Sequence, residues 1–188
     1  QYADLKSRAE SIGLVFFATA CDRRSVDELE AIGVTLYKVA SRDLTNLPLI
    51  DQIAQTGKPV FLSCGMDSLA EIGEAGDAVR RRHNRLVLMH CTSAYPTPLA
   101  DVNLRAMQTL RERFETLVGL SDHSLGPMVP VVAAAMGAVI VEKHVTLDRH
   151  QRGTDHACSL EIAELEQLVQ HIRDTELALG DGVVRVPG

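Results

Sequence analysis

Two histidines lie near the ends of short apolar segments of strand length, 21 positions apart. His123 stands in the segment 118–124, and His144 stands in the segment 139–145. Residues 127–136 between them have a helical pattern that a glycine ends, so the three segments predict a βαβ unit. A right-handed crossover makes the two strands parallel neighbours, which brings both imidazoles to the same end of a sheet. Two convergent imidazoles are the beginning of a metal site.

Each histidine shares its strand face with a second polar residue, because side chains alternate along a strand. Ser121 shares a face with His123, and Glu142 shares a face with His144. Glu142 has two candidate roles: to orient a metal-bound water, or to be the structural partner of Lys38. Both roles stay open at this point.

Purely structural roles are also expected in this region. The alternative to a metal site is a pair of core histidines whose ring nitrogens are satisfied by hydrogen bonds within the protein. Alternation places Asp122 on the opposite face of its strand, towards the helix layer. There we expect Asp122 to cap the helix that starts near Gly126.

A lysine in an otherwise apolar strand indicates an anion-binding group. Lys38 lies in the predicted strand 35–41, and a buried ammonium without a partner is costly. An anion is therefore its favoured partner, and a lysine that snorkels from the sheet edge is the alternative. Each serine at a strand end is compatible with a turn or cap. Together they favour a cradle for phosphate and carboxylate groups, and they are Ser41, Ser63, Ser93 and Ser121.

The composition is that of one ordinary domain with an aliphatic core: 188 residues, 46% hydrophobic and 4% aromatic. A net charge of −6 provides no general attraction to nucleic acid or to anionic membranes. The sequence shows neither a long apolar run nor a leader pattern, so a cytoplasmic protein is expected. Four scattered cysteines lack the spacing of a zinc site or a disulfide scaffold, and we interpret them as reduced thiols.

The remaining pattern alternates strands with helices. Apolar runs predict strands at 14–19, 35–41, 58–63, 85–90, 117–123 and 138–145. Helical periodicity predicts helices at 3–12, 25–33, 47–55, 68–82, 103–113, 127–136 and 161–179. Capping-box patterns mark two of the helix starts, Ser25 to Glu28 and Ser68 to Glu71. Six strand–helix units with nearly all-apolar strands predict an α/β fold with a parallel sheet covered by helices.

Nine short motifs resemble the sialic acid synthase family, which includes the legionaminate and pseudaminate synthases and relatives in spore coat polysaccharide synthesis. They run in the family's order along almost the whole chain, and jointly they are highly specific. The motifs are YKVAS at 37–41, LTNLP at 44–48, TGKPV at 56–60, LSCGM at 62–66, HCTSAYP at 90–96, DVNL at 101–104, GLSDH at 119–123, VEKH at 141–144 and DH at 155–156.

The resemblance implies a TIM (β/α)8 barrel, of which this chain would carry about six βα units, strands three to eight. Such a barrel places polar residues at the carboxyl ends of its strands and needs eight units and roughly 250 residues. We therefore expect residues 1–188 to be a partial barrel catalytic domain, with the first two units and the C-terminal antifreeze-like domain of the family absent. The resemblance also implies a homodimer.

The activity that the resemblance implies is the condensation of phosphoenolpyruvate with an N-acetylated hexosamine. The sugar is typically N-acetylmannosamine or its 6-phosphate, the product is a nine-carbon nonulosonic acid, and phosphate is released. A divalent metal, Mn²⁺ or Mg²⁺, is required. The histidines that match His123 and His144 ligate this metal in the family.

The resemblance also assigns substrate-binding positions. Phosphoenolpyruvate is expected at six positions, namely Thr19, Lys38, Ser41, Ser63, Ser93 and Ser121. Tyr95 and Asp155 are expected to face the sugar. The expected catalytic residues are Glu142, Lys38 and Asp43, the last of which stands where glutamate is common in the family.

Two other functions stay open. The first is another phosphoenolpyruvate-dependent barrel enzyme, such as a 3-deoxy-octulosonate phosphate synthase. Such enzymes hold their anions mainly with arginines and lysines, whereas the strand ends here carry serines. The second is a catalytically incomplete barrel that serves assembly or regulation, since open sheet edges promote association.

Overall fold

The computed structural model describes residues 1–184 and shows an α/β fold. The strands of the described part are β1 (Tyr37–Val39), β2 (Val60–Cys64), β3 (Leu86–Cys91), β4 (Leu117–Asp122) and β5 (Val141–Lys143). The α-helices of the same part are α1 (Tyr2–Ser11), α2 (Arg23–Ala31), α3 (Leu47–Gln55), α4 (Leu69–Arg80), α5 (Ala106–Phe114), α6 (Met128–Ala135) and α7 (Ile162–Leu179). Short 3-10 helices occupy Ser41–Asp43, Leu99–Asp101 and His156–Cys158.

The strands form a sheet in the order of the sequence, β1-β2-β3-β4-β5. β1 pairs in parallel with β2, and β4 pairs in parallel with β5. All residues of β1 and β3 are buried, as expected for parallel strands that are covered on both faces. The parallel, helix-covered sheet predicted from the sequence is confirmed.

The described chain divides into two compact units. The first comprises residues 1–89 and 110–117, and its core includes Ile50, Ile53 and Leu62, each fully buried. The second begins at His90, runs to Thr109, and resumes at Val118. It contains the β4-α6-β5 segment, so the predicted βαβ unit around the two histidines is confirmed.

The strand predicted at 14–19 is wrong, so residues 1–184 contain five strands where six were expected. The structure shows only a single bridge there, between Thr19 and Lys38. Leu14 and Val15 are more than half exposed, and Phe17 makes an edge-on ring contact with Phe61. An apolar run indicates a strand only if a neighbouring strand completes its ladder of hydrogen bonds, and sequence periodicity does not report that.

The two predicted capping boxes have different outcomes. The box at Ser68 and Glu71 is confirmed, with both reciprocal hydrogen bonds present at the start of α4. The box at Ser25 is wrong, because α2 begins earlier, with Asp22 as its N-cap. The Asp22 carboxylate accepts from the Ser25 backbone N–H at 2.7 Å and from its hydroxyl at 2.6 Å.

Removing the observed cap of α2 is expected to destabilise the protein. Asp22→Ala removes the acceptor for an otherwise unsatisfied backbone N–H, which costs about 1 kcal/mol in the free energy of unfolding. Glu28→Ala is the matched control, because the Glu28 carboxylate lies on the same helix and makes an exposed ion pair with Arg24. Urea unfolding of both variants measures the difference, and equal effects would contradict the assignment of the cap.

Two expectations from composition can be compared with the structure. Within residues 1–184 none of the four cysteines forms a disulfide, and three of them are buried. Within residues 1–184, no helix has the length and apolar character that crossing a membrane requires.

Candidate active site

The two histidines follow the last residues of adjacent parallel strands. β4 ends at Asp122 and β5 ends at Lys143, and these two residues are register partners. The next residue on each chain is a histidine, and the ring centroids of His123 and His144 lie 5.3 Å apart. The predicted convergence of the two imidazoles is confirmed.

His123 is buried, and its ring orientation is set by the main chain. Its Nδ1 lies 3.1 Å from the carbonyl oxygen of Thr92. Because a carbonyl only accepts, Nδ1 carries the proton and Nε2 is the basic nitrogen, as in metal-binding histidines. Burial lowers the pKa of His123 below its ordinary value, which favours the neutral imidazole that ligates metals.

Tyr95 and Asp155, the two residues expected to face the sugar, lie beside the histidine pair. The Tyr95 ring lies over His123 with its centroid 4.0 Å away, and it meets His144 edge-on at 5.8 Å. An Asp155 carboxylate oxygen is 4.0 Å from Nδ1 of His144. The main-chain oxygen of His144 accepts from the N–H of Leu160 at 2.9 Å. The structure therefore brings four of the predicted residues together.

Ser121 and Glu142 are register partners, and each lies two residues before a histidine. The buried Ser121 hydroxyl donates to the Glu142 carboxylate at 2.8 Å. This contact confirms that the two side chains share a face of the sheet, as alternation predicts. The role of Glu142 towards a water molecule stays a prediction.

The cap predicted for Asp122 is wrong. The residue at the N-cap position of α6 is Pro127, and no side chain caps this end. The Asp122 carboxylate instead lies 2.5 Å from Nζ of Lys143, and both side chains are at most 3% exposed. A carboxylate on the helix side of a strand end caps a helix only if it contacts the helix N-terminus. Here the carboxylate of Asp122 contacts the buried ammonium of Lys143 instead.

The imidazole pair offers two nitrogen ligands at adjacent strand ends. The residues that the structure describes contain no group of three or more His, Cys, Asp or Glu side chains arranged to hold a metal. A metal at this position would therefore have two imidazole ligands, His123 and His144, and would keep its other positions for water and substrate. That donor set suits a catalytic site rather than a closed structural one.

The other predicted anion-binding residues lie in the first unit. Lys38 is buried in the centre of β1, and Ser63 is buried in β2. Ser41 begins a 3-10 helix that also contains Asp43, whose carboxylate lies 3.4 Å from the Arg42 guanidinium. Thr19 is exposed and is bridged to Lys38 through the main chain.

Three further residues of the second unit have partners within the fold. Ser93 is half-buried in the loop after β3. His90 bonds through Nε2 to the carbonyl oxygen of Val102 at 2.7 Å. His156 bonds through Nδ1 to the Thr146 hydroxyl at 2.8 Å.

Two residues that matter to the site were not singled out in the sequence. Lys143 lies between Glu142 and His144 and points to the other face of β5. Its register partner is Asp122, which has the opposite charge. Opposite charges at matched positions of two predicted parallel strands are a usable signal for such a pair. Thr92 acts through its main-chain carbonyl oxygen. Every residue type has this group, so the sequence does not indicate which carbonyl bonds to His123.

Stability is expected to depend on pH through His123. As the pH falls below about 6.5, the unfolded chain takes up a proton at this imidazole while the folded state stays neutral. The free energy of unfolding should therefore decrease with falling pH until the lowered folded-state pKa is reached. Urea unfolding on both sides of pH 6.5 measures this slope. His123→Gln should flatten it, His171→Gln on the exposed face of α7 should not, and equal slopes in all three proteins would contradict the prediction.

The chain is similar to enzymes of nonulosonic acid synthesis. It is 43% identical over 183 residues to the N,N'-diacetyllegionaminic acid synthase of Legionella pneumophila, covering 95% of this chain and 51% of that protein. It is 37% identical over 181 residues to the human N-acetylneuraminate-9-phosphate synthase, covering 96% and 50%. The chain thus spans about half the length of these curated relatives.

A solved structure has the same fold along nearly the whole chain. The crystal structure of the N-acetylneuraminic acid (sialic acid) synthetase of Leptospira borgpetersenii superimposes with a TM-score of 0.94 at 38% identity, covering 99% of this chain and 65% of that one. The family model described as the NeuB family matches residues 1–184. This chain is a member of the NeuB family.

Proposed function

We propose that this chain is the barrel part of a synthase that joins phosphoenolpyruvate to an N-acetylated amino sugar, releasing phosphate and forming a nonulosonic acid. The observation that carries the proposal is the His123–His144 pair with Tyr95 and Asp155 beside it, in a member of the NeuB family. The five parallel strands are proposed to belong to a TIM (β/α)8 barrel. A homodimer is part of the same proposal.

His123 and His144 would hold the metal, Mn²⁺ or Mg²⁺. When bound, a divalent cation supplies a Lewis acid that polarises the sugar aldehyde. The protein's own contribution is to present two imidazoles at adjacent strand ends. The Thr92 carbonyl keeps the proton of His123 on Nδ1, so Nε2 is available as a ligand.

Tyr95 and Asp155 are proposed to bind the sugar. Tyr95 is half exposed while its ring rests on His123, so one side of the ring is available to a ligand. Asp155 is similarly accessible and can accept hydrogen bonds from sugar hydroxyls. An aromatic face next to a carboxylate suits a ligand that is apolar on one side and rich in hydroxyls on the other.

The phosphate and carboxylate of phosphoenolpyruvate need local positive charge and hydrogen-bond donors, because the chain as a whole is acidic. Lys38 is proposed as the cation, since a buried ammonium is stabilised by an anionic ligand. The hydroxyl donors proposed to accompany it are Thr19, Ser41, Ser63, Ser93 and Ser121. Glu142 is proposed to orient the water that completes the reaction, and Asp43 supplies a further carboxylate.

Phosphate release tests the proposal. The chain is incubated with phosphoenolpyruvate, Mn²⁺ and either N-acetylmannosamine or its 6-phosphate, and inorganic phosphate is measured. Release that requires both the sugar and the metal, and that stops with a chelator, is the expected result. Absence of release with both sugars, together with absence of phosphoenolpyruvate binding to the Mn²⁺-loaded chain by calorimetry, would overturn the proposal.

Ser63→Ala is expected to separate substrate binding from stability. Within residues 1–184, the Ser63 hydroxyl is a buried side-chain group with no hydrogen-bond partner. Its removal should therefore change the free energy of unfolding by less than about 1 kcal/mol. The loss of one hydrogen bond to a charged ligand should raise the phosphoenolpyruvate concentration for half-saturation about tenfold.

Ser68→Ala is the control for this variant, because Ser68 caps α4 and its loss should lower stability without changing half-saturation. A Ser63→Ala protein with unchanged half-saturation would remove Ser63 from the proposed site.

A further inference from the structure

The main-chain ladder between β4 and β5 stops just before the histidines. The last register pair is Asp122 with Lys143, and the two imidazole-bearing residues follow it on their separate chains. Backbone pairing therefore sets the register of β4 and β5 up to their last residues. It does not by itself hold the two imidazoles at a given separation.

A buried polar network surrounds this point. Lys143 donates from Nζ to the Asp122 carboxylate at 2.5 Å and also to the carbonyl oxygen of Ser124. The same carboxylate accepts from the Ser124 N–H and from its hydroxyl, each at 3.0 Å. The residues on both sides of His123 are thus tied to the residue that precedes His144.

Stability alone does not explain a charged pair in this position. Both side chains are 2–3% exposed, so both charges have lost their hydration. An apolar pair of similar volume is commonly as stable as a buried ion pair, because desolvation offsets the attraction between the charges. What an apolar pair does not provide is direction, since charge-assisted hydrogen bonds define both a distance and an angle.

We propose that Asp122 and Lys143 are positioning residues, whose ion pair holds the imidazoles of His123 and His144 at the separation a shared metal needs. The inference rests on the proposed function in that it takes the two imidazoles as metal ligands. Ser124 contributes to this positioning, because its N–H, its hydroxyl and its carbonyl oxygen are bonded to Asp122 or Lys143 and hold the chain just after His123. The ion pair touches neither metal nor substrate and acts only through the two strand ends.

The test compares the 188-residue chain with a variant that removes both charges, Asp122→Leu/Lys143→Met. Two quantities are measured: the nuclear Overhauser effect between the ring protons of the two histidines, without metal, and the Mn²⁺ dissociation constant by electron paramagnetic resonance. Asp122→Asn keeps the shape of the side chain but removes its charge, and it is measured in the same way. If the double variant does not fold, this single variant tests the positioning role.

The matched control is Glu30→Gln/Lys58→Met. Glu30 and Lys58 are also 2.5 Å apart, but Glu30 lies on α2 and Lys58 lies two residues before β2. Glutamine at position 30 can still accept the hydrogen bond from the Tyr37 hydroxyl. The control should keep both the ring contact and the Mn²⁺ affinity of the unaltered chain.

The expected result is a folded double variant with a weakened or absent ring-to-ring signal and a Mn²⁺ dissociation constant raised at least about tenfold. An unchanged ring signal in the charge-free variants would overturn the positioning role and leave the proposed function intact. If the unaltered chain binds no Mn²⁺ but its ring signal is lost in the variants, the positioning role holds and the metal assignment of the proposed function fails.

Discussion

Replacing Lys143 alone with methionine is expected to lower the free energy of unfolding by about 3–5 kcal/mol. The substitution leaves the Asp122 carboxylate buried without its ammonium partner, and an uncompensated buried charge is among the largest single destabilising changes in a protein. The two hydrogen bonds from Ser124 remain, but they do not replace a full positive charge.

Urea denaturation at neutral pH measures this effect, with circular dichroism to confirm that the variant is folded before denaturant is added. Asp122→Leu/Lys143→Met is the informative control, because removing both charges should restore most of the lost stability. A loss below about 1 kcal/mol for Lys143→Met would indicate that the carboxylate finds another partner or water, against the buried geometry observed here.

Removing one imidazole of the pair is expected to reduce Mn²⁺ affinity by on the order of 100-fold or more, equivalent to about 2.8 kcal/mol. His144→Ala is the cleaner variant, because the His144 side chain is 37% exposed and its loss leaves little buried volume empty. A metal that has only two protein ligands loses half of them in this variant. His123→Ala should abolish binding similarly but also destabilise the fold, since His123 is buried.

Electron paramagnetic resonance of free Mn²⁺ measures the affinity of each protein. His150→Ala is the control, because the His150 side chain is almost fully exposed. Within residues 1–184, its hydrogen bonds are to Asp148. Equal Mn²⁺ affinities in the unaltered chain and in His144→Ala would remove the metal assignment, whatever the activity of the protein.

The convergence of the two histidines was predictable because it depends on local regularities. Alternation along a strand has a period of two, and the crossover through α6 makes β4 and β5 parallel, so residues at matched positions meet at the same sheet end. The Ser121–Glu142 contact follows from the same rule. The Ser68 cap was also predictable, because both of its partners lie within one helical turn.

The tertiary structure alone decided which groups these residues use as partners. Residues 14–18 have the apolar pattern of a strand but form none, because a ladder needs a neighbour at the right distance. The N-cap of α2 is Asp22, three residues before the expected Ser25, because the position of a helix start depends on the packing of the whole helix.

By itself, therefore, the sequence determined the parallel α/β architecture and the family, and it placed His123 beside His144, because strand periodicity and motif order are properties of neighbouring residues. Only the folded chain decided that Asp122 pairs with Lys143 rather than capping a helix, and that the Thr92 carbonyl orients His123. The physical reason is that burial and the choice of a hydrogen-bond partner depend on residues that are distant in the chain.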